Sequence, residues 1–87
     1  MFIILVYDIN TKRVAKVLKT CRKYLHWVQN SVFEGNISVS NLKKLKIELN
    51  KIIHTDEDSV IMYSFRSLNY SYREIFGLEK GGSNVML

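Results

Sequence analysis

The chain opens with a short run in which every residue is apolar. Phe2–Tyr7 is rich in β-branched and aromatic side chains and stops at the first acidic residue, Asp8. A strand whose side chains are apolar on both of its faces is typical of the interior of a sheet, where both faces are covered. The run therefore predicts a central strand, and it places Asp8 where that strand reaches the edge of the sheet.

The size of the chain limits it to one small domain. Its 87 residues are far fewer than the roughly 250 at which chains divide into separate cores. A domain this small has a thin core, so association with a second copy would stabilise it. The formal net charge is +5, which favours partners that carry phosphate or other acidic groups.

Cysteine content and hydropathy indicate where the chain works. The one cysteine, Cys21, cannot form an intrachain disulfide or a multi-thiolate zinc site, which fits a reducing compartment. The apolar run that ends at Asp8 is shorter than the core of a secretory signal, and no run approaches the roughly 20 apolar residues of a membrane span. We expect a soluble cytoplasmic protein that does not enter a membrane.

A helix is predicted after Asn10 and Thr11, either of which can cap it. Its apolar residues recur at spacings of three and four: Val14, Val17, Leu18, Cys21 and Leu25. The opposite side carries a set that we call the lysine ridge: Lys12, Lys16, Lys19 and Lys23. With Arg13 and Arg22 the segment holds six positive charges and no acidic partner. A solvated helix face is one interpretation, and contact with nucleic-acid phosphates, which would offset the repulsion, is the other.

The remaining segments predict an α+β domain. Trp27–Glu34 alternates with period two and predicts one strand, and Ser40 caps a second helix with a stripe from Leu42 to Ile53. Strands follow at Ser59–Phe65 and Tyr72–Leu78. We expect an antiparallel sheet with two helices on one face. A ferredoxin-like β-α-β-β-α-β order needs one more strand, around Asn36–Val39. Residues 1–80 would form this domain, and residues 81–87 a tail with a short C-terminal strand.

Asp8 is the leading candidate for chemistry, because an acidic residue at the end of a buried strand reaches solvent at the sheet edge. The alternative is charge complementarity with the N-terminus of the following helix. One carboxylate is a poor Mg²⁺ site, but a two-fold dimer would bring two copies of Asp8 together. His26 and His54 do not lie at metal-ligand spacing, and Cys21 lies on the buried stripe.

Several segments together resemble a known family. They are Tyr7-Asp8-Ile9, Arg13-Val14-Ala15, Val28-Gln29-Asn30-Ser31-Val32-Phe33-Glu34-Gly35 and Ser83-Asn84-Val85. In order and spacing they are similar to the CRISPR-associated protein two family, the small adaptation protein of CRISPR systems. The stretch from Gln29 to Gly35 is the most specific part of the resemblance.

The resemblance implies a ferredoxin-like homodimer in which the two copies of Asp8 face each other and hold one Mg²⁺. It implies a metal-dependent endonuclease for single-stranded RNA or duplex DNA, and a dimer that binds spacer-precursor DNA and bridges the CRISPR integrase. Tyr7, Arg13 and Phe33 match positions implicated in the family's catalysis, with Arg13 on phosphate and the two aromatic residues shaping the cleft. The last residues, 84–87, match a tail strand that pairs with the partner subunit.

Three functions stay open on the sequence alone: the endonuclease, a purely structural DNA-binding subunit of the integrase complex, and a related toxin-type ribonuclease. The predicted nucleic-acid contacts are the lysine ridge together with Arg13. Trp27 departs from the resemblance, because many members of the family carry a basic residue at this place. A phosphate ligand is therefore missing from the expected set.

Overall fold

The computed structural model describes residues 1–67 and 70–79, and these form seven elements. They are β1 (Phe2–Asp8), α1 (Val14–Arg22), β2 (His26–Gln29), β3 (Val32–Asn36), α2 (Val39–Ile52), β4 (Ser59–Ser67) and β5 (Tyr70–Gly77). The predicted strand at residues 84–87, with the rest of the 81–87 tail, lies outside the described residues. No helix in the described ranges combines the length and apolarity needed to cross a bilayer.

The five strands form one antiparallel sheet in the order β2-β3-β1-β4-β5. The strand β1 lies at its centre, as the apolar run predicts. The first four strands and the two helices follow the ferredoxin-like β-α-β-β-α-β order, and β5 pairs with the outer edge of β4. The predicted α+β, ferredoxin-like fold class is confirmed.

The prediction of one strand over Trp27–Glu34 is wrong. The extra strand that the ferredoxin-like order needs is present as β3, at Val32–Asn36 rather than around Asn36–Val39. The chain turns back at Asn30 and Ser31, so that β2 and β3 form an antiparallel hairpin. Asn30 has a φ of 44°, in the left-handed region that asparagine tolerates better than most residues. Because the period-two pattern continues through the turn, alternation alone did not reveal it.

The predicted helix caps are also displaced. The hydroxyl of Ser38, not that of Ser40, caps α2 by accepting an amide N–H from its first turn at 3.1 Å. Neither Asn10 nor Thr11 caps α1, which begins without a side-chain cap. The side-chain oxygen of Asn10 instead accepts the N–H of Lys12 at 2.9 Å. Asn10 therefore orders the turn between β1 and α1.

The hydrophobic core lies between the sheet and both helices. Alternate residues of β1 point into it and meet the apolar stripes of α1 and α2. The buried members are Ile3, Leu5, Tyr7, Val17, Cys21, Leu25, Phe33, Ile37, Leu42, Leu45, Leu49, Ile53, Val60 and Met62. Cys21 is a core residue, as predicted, and burial raises the pKa of its thiol to about 12, so the thiol stays protonated at neutral pH.

Both described helices pack on one side of the sheet. No helix within residues 1–67 or 70–79 covers the other side, which we call the open face. Phe2, Ile4 and Val6 of β1 alternate onto it and are only half-buried. The register with β4 places Ile61 and Phe65 beside them, and the rings of Phe2 and Phe65 lie 6.4 Å apart. The open face is therefore an apolar surface at the centre of the sheet.

Candidate functional site

Asp8 is the last residue of β1, and its side chain is exposed. Alternation puts it on the same side of the strand as Ile4 and Val6, which is the open face. Its register partner on β4 is Ser59. The end of β1 thus presents a carboxylate to solvent at the edge of an apolar surface.

Tyr7 and Phe33 lie on the opposite side of the sheet from Asp8. Both are buried, and their ring centroids are 6.0 Å apart. The hydroxyl of Tyr7 donates to the backbone carbonyl of Asn30 at 3.2 Å, and burial raises the pKa of Tyr7. The phenol therefore stays protonated at neutral pH. Both rings pack in the hydrophobic core, on the helix side of the sheet. Their roles in catalysis stay predictions.

The turn between β2 and β3 is fastened to the end of β1 that carries Asp8. The backbone N–H of Tyr7 donates to the carbonyl of Ser31 at 3.0 Å. The carbonyl of Asn30 accepts two donors, the Tyr7 hydroxyl and the indole Nε1 of Trp27 at 3.0 Å. The hairpin turn, its tryptophan and Asp8 consequently lie at the same end of the sheet.

Arg13 is held by two carboxylates rather than left without an acidic partner. Its Nε donates to Oδ2 of Asp58 at 2.6 Å, and one terminal nitrogen donates to Oδ1 of Asp58 at 3.1 Å. The same nitrogen donates to Oε1 of Glu57 at 2.6 Å. The expectation that all six positive charges lack an acidic partner is thus wrong for Arg13, because its partners come from a turn much later in the chain. Its role as a phosphate ligand stays a prediction.

Asp58 is a site residue that the sequence analysis did not single out, and it lies in the connection between α2 and β4. Its side chain is 0% exposed. Besides Arg13 it accepts the backbone N–H of Asn10 at 2.8 Å and that of His54 at 2.7 Å. The Arg13 guanidinium, with these N–H groups, holds the pKa of Asp58 well below its usual range.

We call the contact of Arg13 with Glu57 and Asp58 the loop clamp, because it fastens the turn after β1 to the turn before β4. The backbone of Asp58 extends it to β5, since its carbonyl accepts the N–H of Leu78 at 2.8 Å. Gly77 packs against that carbonyl with a φ of 86°, and a Cβ there would lie 2.1 Å from the oxygen. Only glycine fits this approach.

The lysine ridge is divided by its contacts. Lys23 forms an ion pair with Glu48 of α2, which also accepts the hydroxyl of Tyr24 at 2.5 Å. The expectation of no acidic partner is therefore wrong for Lys23 as well. The other members are exposed and form no salt bridge with another described residue: Lys12, Lys16 and Lys19. We call these three the exposed ridge.

A metal site within one chain would need ligands besides Asp8. In residues 1–67 and 70–79 no group of three or more His, Cys, Asp or Glu side chains is arranged to hold an ion. One exposed carboxylate fits Mg²⁺ only as part of a larger set, because this ion takes one or two carboxylates together with water and phosphate oxygens. Asp8 alone is therefore an incomplete magnesium site.

Comparison with known proteins identifies the family. The family described as CRISPR associated protein Cas2 matches residues 1–73. The chain is 52% identical to the CRISPR-associated endoribonuclease Cas2 of Dictyoglomus turgidum over 87 residues, which is 100% of both chains. It is 52% identical over 81 residues to the protein of the same name from Thermotoga maritima, with 93% of each chain covered.

Solved structures agree with the sequence comparison. A crystal structure of Cas2 is 40% identical, covers 94% of this chain and 92% of its own, and superimposes with a TM-score of 0.74. Cas2 of Streptococcus pyogenes, crystallised at pH 6.5, is 35% identical and covers 75% of this chain and 86% of its own, with a TM-score of 0.69. The resemblance seen in the motifs, the ferredoxin-like topology and these matches agree: the chain belongs to the Cas2 family of CRISPR-associated proteins.

Proposed function

We propose that this protein is a Mg²⁺-dependent endoribonuclease of CRISPR systems, active as a homodimer in which two copies of Asp8 hold the ion. The observation that carries the proposal is the exposed carboxylate of Asp8 at the end of the central strand, on the edge of the open face. Relatives that are 44–52% identical are named endoribonucleases, which supports RNA as the substrate. Cleavage of end-labelled single-stranded RNA with Mg²⁺, and its loss in excess chelator, tests the activity.

The open face supports the homodimer. It is apolar and half-buried in a single chain, and small domains gain stability from covering such a surface. A second copy packed on this face about a two-fold axis would also bring the Asp8 carboxylates toward each other.

The residues at this edge fit the chemistry of phosphodiester hydrolysis. When bound, Mg²⁺ supplies a more acidic water and offsets charge that develops on the phosphate. Asp8 would hold the ion, and the exposed ridge would bind phosphates that flank the cleaved bond. Tyr7 keeps its proton and donates to the backbone, so its contribution is to fix the end of β1.

Ile4→Arg is expected to convert the dimer to a monomer and to abolish cleavage. Ile4 lies on the open face between its register partners Glu34 and Tyr63, so a guanidinium there would be buried against its own copy in the dimer. Sedimentation velocity measures the association, and the matched control is Ile47→Arg on the exposed surface of α2. A variant that still sediments as the dimer would contradict this use of the open face.

The exposed ridge also favours a second function, that of a structural subunit that holds duplex DNA for the CRISPR integrase without cutting it. Two exposed lysines on α1 and one in the turn before it would contact phosphates without reading bases, and such contact does not need Asp8. Spacer integration by the purified integrase separates the two functions. The scaffold function predicts equal integration with wild-type protein and with Asp8→Asn, whereas a catalytic role in integration predicts its loss.

Changing Lys12, Lys16 and Lys19 together to Glu is expected to weaken nucleic-acid binding and to flatten its dependence on salt. Each phosphate contact contributes roughly 0.7 to 0.9 to the slope of log affinity against log salt, so the slope should fall by about 2 to 3. Fluorescence anisotropy at several salt concentrations measures it.

The control for this variant changes three exposed lysines of α2 to Glu: Lys43, Lys44 and Lys51. Both triple variants carry the same net charge, so a difference between them reports the position of the lysines and not the total charge. Equal affinity and equal slope in the two variants would contradict a binding role for the exposed ridge.

A further inference from the structure

Trp27 lies on the surface although tryptophan is a residue that folding usually buries. Its side chain is 55% exposed, and all four residues of the edge strand β2 are exposed. A single exposed aliphatic residue is common, but a large aromatic ring left in water at a sheet edge is typical of a binding surface. Neither the proposed metal site nor the open face uses this ring.

The indole is held in place by the protein. Its Nε1 donates to the carbonyl of Asn30 at 3.0 Å, the same carbonyl that the Tyr7 hydroxyl reaches. With its polar atom satisfied, what the ring offers a ligand is its π surface. A fixed ring also loses little conformational entropy when a ligand covers it.

The position of the ring ties it to the proposed nuclease site. Through Asn30 and Tyr7, the hydrogen bonds of Trp27 reach the residue next to Asp8. The helix α1 also packs against β2, so the helix that carries Lys16 and Lys19 of the exposed ridge adjoins the strand that carries Trp27. A strand of RNA bound along α1 would therefore lie beside an aromatic surface.

We propose that Trp27 stacks on an unpaired base of single-stranded RNA bound along the exposed ridge. This inference rests on the proposed function, since it names the part of that substrate which this residue recognises. An aromatic side chain can stack on any base. The base must be unpaired and unstacked from the adjacent bases, which a single strand allows and a duplex does not. The positive charge of α1 selects a polyanion as the occupant over an apolar peptide.

The sole tryptophan of the chain makes the contact directly observable. The full-length Asp8→Asn protein is titrated with single-stranded RNA, with a duplex of the same length, and with an abasic strand of the same length and charge. Stacking predicts that the single strand quenches the indole fluorescence, whereas the duplex and the abasic strand leave it nearly unchanged. The abasic strand should bind roughly 10-fold more weakly than the base-bearing strand.

Substitution at Trp27 gives the second arm of the experiment. In fluorescence anisotropy with labelled RNA, Trp27→Ala should lose roughly 10-fold in affinity for the single strand and bind the abasic strand as the parent does. Trp27→Phe, which keeps a ring, should stay within about 3-fold of the parent, and Val28→Ala, an exposed neighbour on β2, should match it. Circular dichroism establishes that each variant is folded.

The outcomes separate this inference from the nuclease proposal. If single-stranded RNA quenches the indole fluorescence but the wild-type protein never cleaves that RNA, stacking is supported and the nuclease is contradicted. Cleavage by wild-type protein, with equal affinity of Trp27→Ala and its parent for RNA, overturns stacking and leaves the nuclease. Equal quenching by base-bearing and abasic strands also overturns it. So does a Trp27→Ala variant that binds RNA normally but changes its state of association, which would assign the ring to a protein partner.

Discussion

Asp8→Asn is expected to lower the rate of Mg²⁺-dependent RNA cleavage by roughly 10³-fold, because losing a metal-holding charge removes several kcal/mol of transition-state stabilisation. The substitution keeps the size of the side chain at an exposed position. The variant should therefore still fold, which thermal unfolding checks. Single-turnover cleavage of labelled RNA at saturating protein measures the loss.

A matched control is Asp56→Asn, which removes the same charge from an exposed turn residue and should cleave at the wild-type rate. The RNA affinity of both variants should stay close to that of the wild type, because the exposed ridge is intact. Residual cleavage by highly purified Asp8→Asn at more than about a tenth of the wild-type rate would remove Asp8 from the mechanism.

Asp58→Ala is expected to destabilise the domain by about 3 kcal/mol, which is the low end for breaking a buried ion pair because the partners Arg13 and Glu57 reach solvent. The change leaves the guanidinium of Arg13 and the backbone N–H groups of Asn10 and His54 without their shared acceptor. For a domain of this size the melting temperature should fall by roughly 12 to 24 °C.

The same ion pair predicts how stability depends on acid. Because Arg13 holds the folded pKa of Asp58 well below its usual range, the folded state binds this proton less readily than the unfolded chain does. The stabilisation is complete above the unfolded pKa of about 4, and it is lost as the pH falls further, toward the folded pKa. Asp58→Asn, measured by thermal unfolding from pH 7 to pH 2, should lack this part of the acid dependence.

Asp56→Asn again serves as the control, since it lies in the same turn and is exposed. It should unfold like the wild type at neutral pH. A melting temperature of Asp58→Ala within about 2 °C of the wild type would show that the loop clamp does not stabilise the fold.

Much of the fold could be predicted because local patterns agree with the final packing. The apolar run Phe2–Tyr7 became the central strand, and the stripes of both helices face the core. The hairpin could not be predicted from alternation, since Trp27 and Phe33 keep the same parity on either side of the turn and pair across it. The turn depends on one residue, Asn30, with a left-handed backbone. That conformation does not interrupt the alternation of side chains along the sequence.

The site was predictable in position and less so in electrostatics. The location of Asp8 at the edge of the sheet follows directly from the end of an apolar run. The partners of Arg13 and Lys23 could not be found in the same way, because Asp58 and Glu48 lie 45 and 25 positions away and meet them only after folding. A ridge that looks uniform in sequence therefore divides into clamped residues and an exposed part, Lys12, Lys16 and Lys19.

Two copies of Asp8 are proposed to share one ion across the dimer, and mixed dimers test this sharing most directly. Wild-type and Asp8→Asn chains are combined in varying proportions, allowed to exchange subunits, and assayed for Mg²⁺-dependent RNA cleavage. A shared site requires both carboxylates, so activity should follow the square of the wild-type fraction, with about a quarter of full activity at equal mixing. Activity that follows the wild-type fraction linearly, at about half in that mixture, would contradict a shared site, because each subunit would then act alone.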